Sequence, residues 1–513
     1  MDKKLLKTEF AKDSKSMQIT VEGEIIISDA QPDIKEIICE NVKPAITFYS
    51  VSDGRISYKG ALRASAIYVS KDSEEPVSAA STVINFEDIM NIDGIMKENC
   101  VRVSVCTDRY EFRKINERKV SVKAVLTIGV KIFVTSECSC ITADENEDGM
   151  QYQVQSDIVR NHVSQDKTDF DIHETFSIPA VKPEAGEVLT EFYSVADVDT
   201  KAMRGGYRIT GVLKVDMVYL TKDSASADSV HFEAPFEQTV DNDFVTEDMH
   251  AVSNVSVTGL KAGAFEDSGG ENRIVDIDAV FNEVTDVFDD EKITFVKDAY
   301  SVKYPCTAET QEIIMPEFIG RNKARFNLKS SATQNNGADI LQVIGAEGNI
   351  SLEDVYAQNG SAAAEGVAEV TVLYIASDDS RPVYSLKAYI PFHQEIDVPG
   401  SQDGDLVTAD VYVDSVSFNI MNSSEIEAAV NIVIDAEVMR LVEKRAVSGV
   451  EKNETASQKP MPAAVIYTVQ KEDSLWDIAK KYGAVKEDIM ALNSMETEDS
   501  LNDKNKILIM RRV

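Results

Sequence analysis

The sequence predicts a mainly β protein: three tandem β-sandwich or barrel-like repeats, then a small C-terminal α+β unit of βααβ order. Three observations predict it. A glycine stands eight residues ahead of a tyrosine three times, at Gly60/Tyr68, Gly211/Tyr219 and Gly366/Tyr374. Apolar and polar residues alternate around those marks, as in half-buried strands. From Tyr467 onward the alternation gives way to a helical period.

Further marks keep the same spacing. Twenty-eight residues before each glycine stand Pro32-Asp33, Pro183-Glu184 and Ala338-Asp339. They are followed by Glu36-Ile37-Ile38, Glu187-Val188-Leu189 and Gln342-Val343-Ile344. Phe86, Phe236 and Phe392 follow the tyrosines by eighteen, seventeen and eighteen residues. A period of about 150 residues means tandem domains, not a solenoid. The Pro-acidic segments read as one or two helical turns. Residues 61–68, 101–105, 119–125, 367–374 and 431–435 read as strands from their alternation and β-branched residues. Clusters at 52–54, 266–270 and 401–404 read as turns. Short strands between turns must cover an apolar face, hence the sandwich or barrel. The glycine reads as the start of a strand and the tyrosine as a packing aromatic. The expected division is a charged tail at 1–16, repeats at 17–160, 161–312 and 313–444, a linker at 445–464, and the end unit at 465–513. The linker follows from Arg445–Ala464, a stretch with almost no large apolar residue, stiffened by Pro460 and Pro462.

Composition narrows the function classes. The net charge is −36, and residues 467–513 hold eight basic and nine acidic residues, so −35 belongs to the rest. Such a surface argues against nucleic acid or anionic lipid as partner, since phosphate binding rests on clustered Lys and Arg. No apolar stretch approaches the roughly 18 residues of a membrane span. Met1–Lys7 has no apolar core of a secretory leader, which predicts residence in the cytosol. Six cysteines stand at positions that do not recur among the repeats and read as free thiols. Asp144-x-Asn146-x-Asp148-Gly149 imitates a calcium loop, but Gln155 stands where the bidentate Glu belongs; it reads as a polar inter-domain loop. Cys138-Ser139-Cys140 lacks a second ligand pair, and the five histidines show no metal-ligand spacing. No catalytic residues, metal site or cofactor are expected.

In the end unit, Ser474 and Asp477 have capping-box spacing. Leu475, Ile478, Ala479 and Tyr482 form one apolar helix stripe, closed by Gly483. A second helix carries Ile489 and Leu492 and ends at Asn493, and Ile507–Ile509 is a closing strand. Tyr467-x-Val469, Asp473-Ser474-Leu475-Trp476-x-Ile478-Ala479, Tyr482-Gly483 and Leu492-Asn493 together resemble a LysM domain. That resemblance implies a shallow groove for N-acetylglucosamine polymers such as peptidoglycan, lined by Asp473, Ser474, Leu475, Trp476, Asn493 and Met495. Trp476 reads either as a contact aromatic at that groove or as packing in the small core. Glu472 stands where the family has a glycine, Met510 where it has its terminal proline, and Lys504 or Asn505 where it has a further glycine.

The segment Pro32-Asp33-Ile34-Lys35-Glu36-Ile37-Ile38, with the Gly-to-Tyr strand after it, resembles the SPOCS domain of spore-coat assembly proteins in endospore-forming bacteria. Three such modules before LysM are similar to clostridial coat-morphogenesis proteins. The resemblance implies a non-enzymatic scaffold in the mother-cell cytoplasm, at the forespore surface. Its implied partners are the coat base-layer ATPase of the stage IV sporulation protein A type and other coat proteins. The alternative is a binder of cortex or germ-cell-wall peptidoglycan; an enzyme acting on the wall is a distant third.

Overall fold

Alternation runs far past the stretches named above, and each repeat becomes six strands in two layers. The computed structural model describes residues 3–71, 76–143, 149–222, 226–334, 339–377, 381, 383–453, 462–471 and 473–511, without the side chains of 13, 14, 499, 502 and 503. Module 1 holds β1 (Lys3–Ile26), β2 (Ile34–Ser52), β3 (Arg55–Ser70), β4 (Val77–Asn91), β5 (Val101–Asn116) and β6 (Lys119–Ile141). Module 2 holds β7 (Met150–Ser177), β8 (Ala185–Met203), β9 (Gly206–Thr221), β10 (Ala227–Asp241), β11 (His250–Glu266) and β12 (Asn272–Ser301). Module 3 holds β13 (Cys306–Thr333), β14 (Ile340–Gln358), β15 (Ser361–Ala376), β16 (Val383–Asp397), β17 (Leu406–Asn422) and β18 (Glu425–Lys452). In every module the second to fourth strands form an antiparallel meander. The first strand pairs with the sixth, and the sixth with the fifth. Apolar residues of both layers enclose one core; in module 1, Val21, Val42, Leu62, Phe112 and Val122 meet there. The mainly β sandwich class is what the alternation predicts.

The repeated marks form one constellation. Gly60, Gly211 and Gly366 lie inside the middle strands β3, β9 and β15, directly across from Phe86, Phe236 and Phe392. A Cβ on Gly60 would lie 2.2 Å from Phe86 Cζ and 2.6 Å from the Ala45 carbonyl oxygen. On Gly366 it would lie 2.4 Å from the Ser351 carbonyl oxygen and 2.9 Å from Phe392 Cζ. The phenyl ring folds over the gap a strand glycine leaves, so the glycine is required by close approach and not by a turn. Tyr68, Tyr219 and Tyr374 take matching places near the ends of the same strands and are buried. The Tyr68 hydroxyl donates to the Pro32 carbonyl at 3.0 Å, and Tyr219 to that of Pro183 at 3.1 Å. The third counterpart, Ala338, lies outside the described residues. The acidic residue after each of these positions accepts at its carbonyl from Lys71, Lys222 and Ser377 N–H, at 2.9, 3.1 and 2.9 Å. The Pro-acidic mark is therefore a strand corner, not a helical turn: its polar backbone is satisfied across strands, and Glu36-Ile37-Ile38 and its counterparts already belong to β2, β8 and β14.

A β-bulge recurs inside those strands. Pairing skips from Ile37/Tyr68 to Cys39/Ile67, from Val188/Tyr219 to Thr190/Val218, and from Val343/Tyr374 to Gly345/Leu373. A bulge re-aims the residue it leaves unpaired. The skipped Ile38, Leu189 and Ile344 join Ile67, Val218 and Leu373 in one buried cluster drawn from all three modules. Cys39, Val69, Val77, Phe192, Leu220, Ala227 and Val383 complete it. Equivalent residues of three modules thus meet in a shared hub, the arrangement of a trimer built within one chain. Beside it the Asn41 amide donates to Glu347 at 2.7 Å, and these two positions are equivalent in their repeats. A second shared cluster forms where the outer ends of the first and sixth strands converge. It contains Leu6, Cys138, Cys140, Val159, Ile293, Phe295, Ile313, Met315 and Ala446.

That second cluster corrects the expected boundaries. Residues 3–16 are not a tail but part of β1, where Leu6, Thr8 and Phe10 alternate inward against β6. The second and third modules begin at β7 and β13, earlier than 161 and 313, because their first strands extend to reach the same cluster. Arg445–Lys452 is the end of β18 and not linker, with Ala446 and Val447 buried. Residues 454–461 lie outside the described residues, as do Asp144–Asp148 of the calcium-like loop.

Candidate functional site

The C-terminal unit folds as its pattern predicts, with one added turn. It contains β19 (Ala464–Thr468), α1 (Leu475–Tyr482), α2 (Lys486–Leu492), a 3₁₀ turn at Glu498–Asp503, and β20 (Lys506–Met510) antiparallel to β19. Ser474 caps α1: its hydroxyl accepts from Asp477 N–H at 3.0 Å and donates to the Asp477 carboxylate at 2.5 Å. Gly483 ends the helix at φ 60°, the left-handed position glycine tolerates.

The six expected groove residues divide by role. Asp473 accepts from Gln470 N–H at 2.7 Å and so closes the loop before α1, while Ser474 is the exposed cap. Leu475, Trp476 and Met495 point into the core. Asn493 is a clamp between α2 and β20: its amide donates to the Ile489 and Leu508 carbonyls and accepts from Leu508 N–H, each at 2.7 Å. Its polar capacity is spent on the fold. Glu472 lies outside the described residues, and Met510 is exposed at the end of β20.

Trp476 decides between the two readings given above. It is 4% exposed, and its ring meets Tyr300 of β12 edge-on at 4.9 Å between centroids. Its indole N–H donates to Asp298 Oδ2 at 2.8 Å, and Lys480 reaches the same carboxylate at 2.7 Å. The Tyr300 hydroxyl donates to the Ala484 carbonyl at 2.8 Å, and Val302 joins the same apolar cluster. Burial holds the Tyr300 phenol well above its ordinary range. The end unit is thus latched to module 2. An amphipathic aromatic at a helix start fits either a groove or a neighbouring domain, and Trp476 is buried against the domain, on Tyr300 and Asp298. Gln470, Lys471, Ser474, Ser494, Glu496 and Thr497, on the loops before α1 and after α2, stay exposed.

A second polar cluster lies at the module junction. His162 on β7 is buried, with Nδ1 at 3.1 Å from Glu9 and Nε2 at 3.2 Å from Asp286. Asp286 also pairs with Arg102 and accepts from Gln165 at 2.8 Å. Burial would raise the Asp286 carboxyl, yet Arg102, His162 and Gln165 outweigh it and hold it at about 2. Arg102 reaches Asp410 of module 3 at 3.7 Å as well. Sequence spacing gave no sign of this cluster, since its members come from separate strands. The cysteines are free among the described residues, and Cys138 and Cys140 are buried in the second shared cluster. Neither helix of the end unit is long enough to cross a membrane, and no helix among the described residues is.

Comparison with known families settles what both parts are. The model of the SipL SPOCS domain matches residues 33–115, 184–264 and 339–421, and that of the LysM domain matches 467–509. The chain is a SPOCS-domain protein with a C-terminal LysM domain. No curated protein and no solved structure matches it. Each SPOCS match spans the second to fifth strands of a module. The first and sixth strands, which complete the second layer and build the outer shared cluster, lie outside it. The SipL family belongs to sporulation, LysM is a peptidoglycan-binding type of module, and both are non-catalytic binding modules.

Proposed function

We propose that the protein is a non-enzymatic scaffold of spore-coat morphogenesis, acting in the mother-cell cytoplasm at the forespore surface. Its LysM domain docks on the coat base-layer ATPase of the stage IV sporulation protein A type. The acidic SPOCS body engages further coat proteins. The observation that carries this reading is the latch: LysM is fixed through Trp476, Lys480 and Ala484, while Gln470, Lys471, Ser474, Ser494, Glu496 and Thr497 stay exposed on its loops. A rigid body that presents two adhesive surfaces in fixed relation is what a scaffold needs. LysM membership favours a second reading, in which the same loops bind peptidoglycan.

One experiment separates them. The full chain and its Lys471→Glu/Glu496→Lys variant, which reverses charge on both loops without touching the core, are tested against the purified ATPase and against insoluble peptidoglycan. The proposal expects ATPase binding weakened at least tenfold, about 1.4 kcal/mol, and no retention on the glycan. Retention of the wild type on peptidoglycan, lost in the variant, with no ATPase binding by either, overturns it in favour of the wall.

A further inference from the structure

The junction cluster holds a set of donors that the scaffold reading does not use. Glu9 comes from β1, Cys100 from the residue before β5, and His162 from β7. One ligand atom from each, a carboxylate oxygen, the thiol sulfur and a ring nitrogen, lies within 4.8 Å of the other two. Ligands of a tetrahedral zinc ion, with bonds of about 2.0 Å to nitrogen and about 2.3 Å to sulfur, stand roughly 3.3–3.8 Å apart. The Glu9 oxygen is already 3.1 Å from His162 Nδ1, so small side-chain adjustments would bring the three to that spacing.

The surroundings prepare the imidazole as a ligand. Nε2 faces Asp286, and Asp286 is itself held by Arg102 and Gln165. A carboxylate on the far nitrogen of a histidine fixes its tautomer and turns the other nitrogen toward a metal. The ring is locked by Phe133 stacked at 4.1 Å and Phe288 edge-on at 5.5 Å. The Cys100 carbonyl accepts from Phe133 N–H at 3.0 Å, which ties the thiol-bearing residue to the same frame. The other four histidines are exposed and pair with surface carboxylates.

We propose that Glu9, Cys100 and His162 bind one zinc ion that ties module 1 to module 2. One thiolate and one imidazole beside a single carboxylate select zinc over magnesium or calcium, which take oxygen ligands. Three protein ligands leave a fourth position for water. Glu9 and Cys100 belong to module 1 and His162 to module 2, so the ion would act as a staple at the junction. The ligands lie too far apart in the chain to leave a spacing motif, which is why the sequence shows none.

The test uses the full-length chain stripped with chelator and titrated with Co²⁺ and Zn²⁺ alone. The expected result is one Co²⁺ per chain with a thiolate-to-cobalt charge-transfer band, displaced by Zn²⁺. Zn²⁺ should also raise the melting temperature. Cys100→Ser, which exchanges one atom at a half-buried position, should abolish the band and weaken zinc binding at least tenfold, while Cys138→Ser leaves both unchanged. Absence of the band in wild type, or its persistence in Cys100→Ser, overturns the proposal.

Discussion

The SPOCS hub and the LysM latch hold domains together by different physics. At the hub, Ile38, Leu189 and Ile344 with Ile67, Val218 and Leu373 put the same apolar positions of three modules in one dry cluster. Removing that area from water is non-directional and additive, at roughly 1.5–3 kcal/mol for each large side chain. At the latch, one carboxylate, Asp298, receives both the indole N–H and the Lys480 ammonium, beside a single aromatic pair. Such contacts specify an orientation and can be released one group at a time. Repetition therefore builds the body, and a few unrepeated polar residues place the adhesive domain on it.

Breaking the hub should have the largest effect. Val218→Asp puts an unpaired charge at a fully buried position shared by three modules, at a cost on the order of 4–5 kcal/mol. Urea unfolding should show all three modules losing stability, and a normal midpoint would mean the cluster is not a common core. A smaller loss is expected inside a single sandwich. Gly60→Ala drives a Cβ against the Phe86 ring and the Ala45 carbonyl, costing about 2–3 kcal/mol in the same assay while leaving the hub residues untouched.

The latch should yield more locally. Asp298→Ala leaves the buried indole N–H without its acceptor, a loss of about 1–3 kcal/mol. Hydrogen exchange should then rise across residues 475–484 with the module strands unchanged, and a matching rise throughout module 2 would contradict a local latch. The smallest effect concerns Glu283, in the core of module 2. Burial pushes its carboxyl up from 4.5 to about 7. Between those values the folded state binds more protons than the unfolded state, so stability from this group is present at low pH and lost as pH rises through about 7. Glu283→Gln should flatten that decline by on the order of 1–2 kcal/mol when midpoints at pH 5 and 8 are compared.

The sequence reveals the modules better than it reveals their union. Gly60, Tyr68 and Phe86 are legible as repeated marks because their spacing recurs. That Phe86 covers Gly60 is a cross-strand fact that spacing along one chain does not carry. Ile38 reads as one more apolar strand residue, since alternation cannot tell a side chain facing its own sandwich from one that a bulge turns toward a neighbour. Lys3–Ser16 reads as a tail because its exposed face is rich in lysine, although Leu6 and Phe10 alternate inward. In the LysM domain the helix cap, the apolar stripe and Gly483 are local signals, and they place α1 correctly. Trp476 is local in sequence and long-range in contact, so its partner Asp298 was out of reach.

The shared hub is tested most directly by Leu373→Ala with hydrogen exchange read over the whole chain. Leu373 belongs to module 3, and its side chain meets residues of modules 1 and 2 in the buried cluster. If the hub is one core, protection falls around Ile67–Val69 in β3 and Val218–Leu220 in β9 as well as in β15. Loss of protection confined to residues 306–452 would mean that the three modules stand side by side without sharing a core.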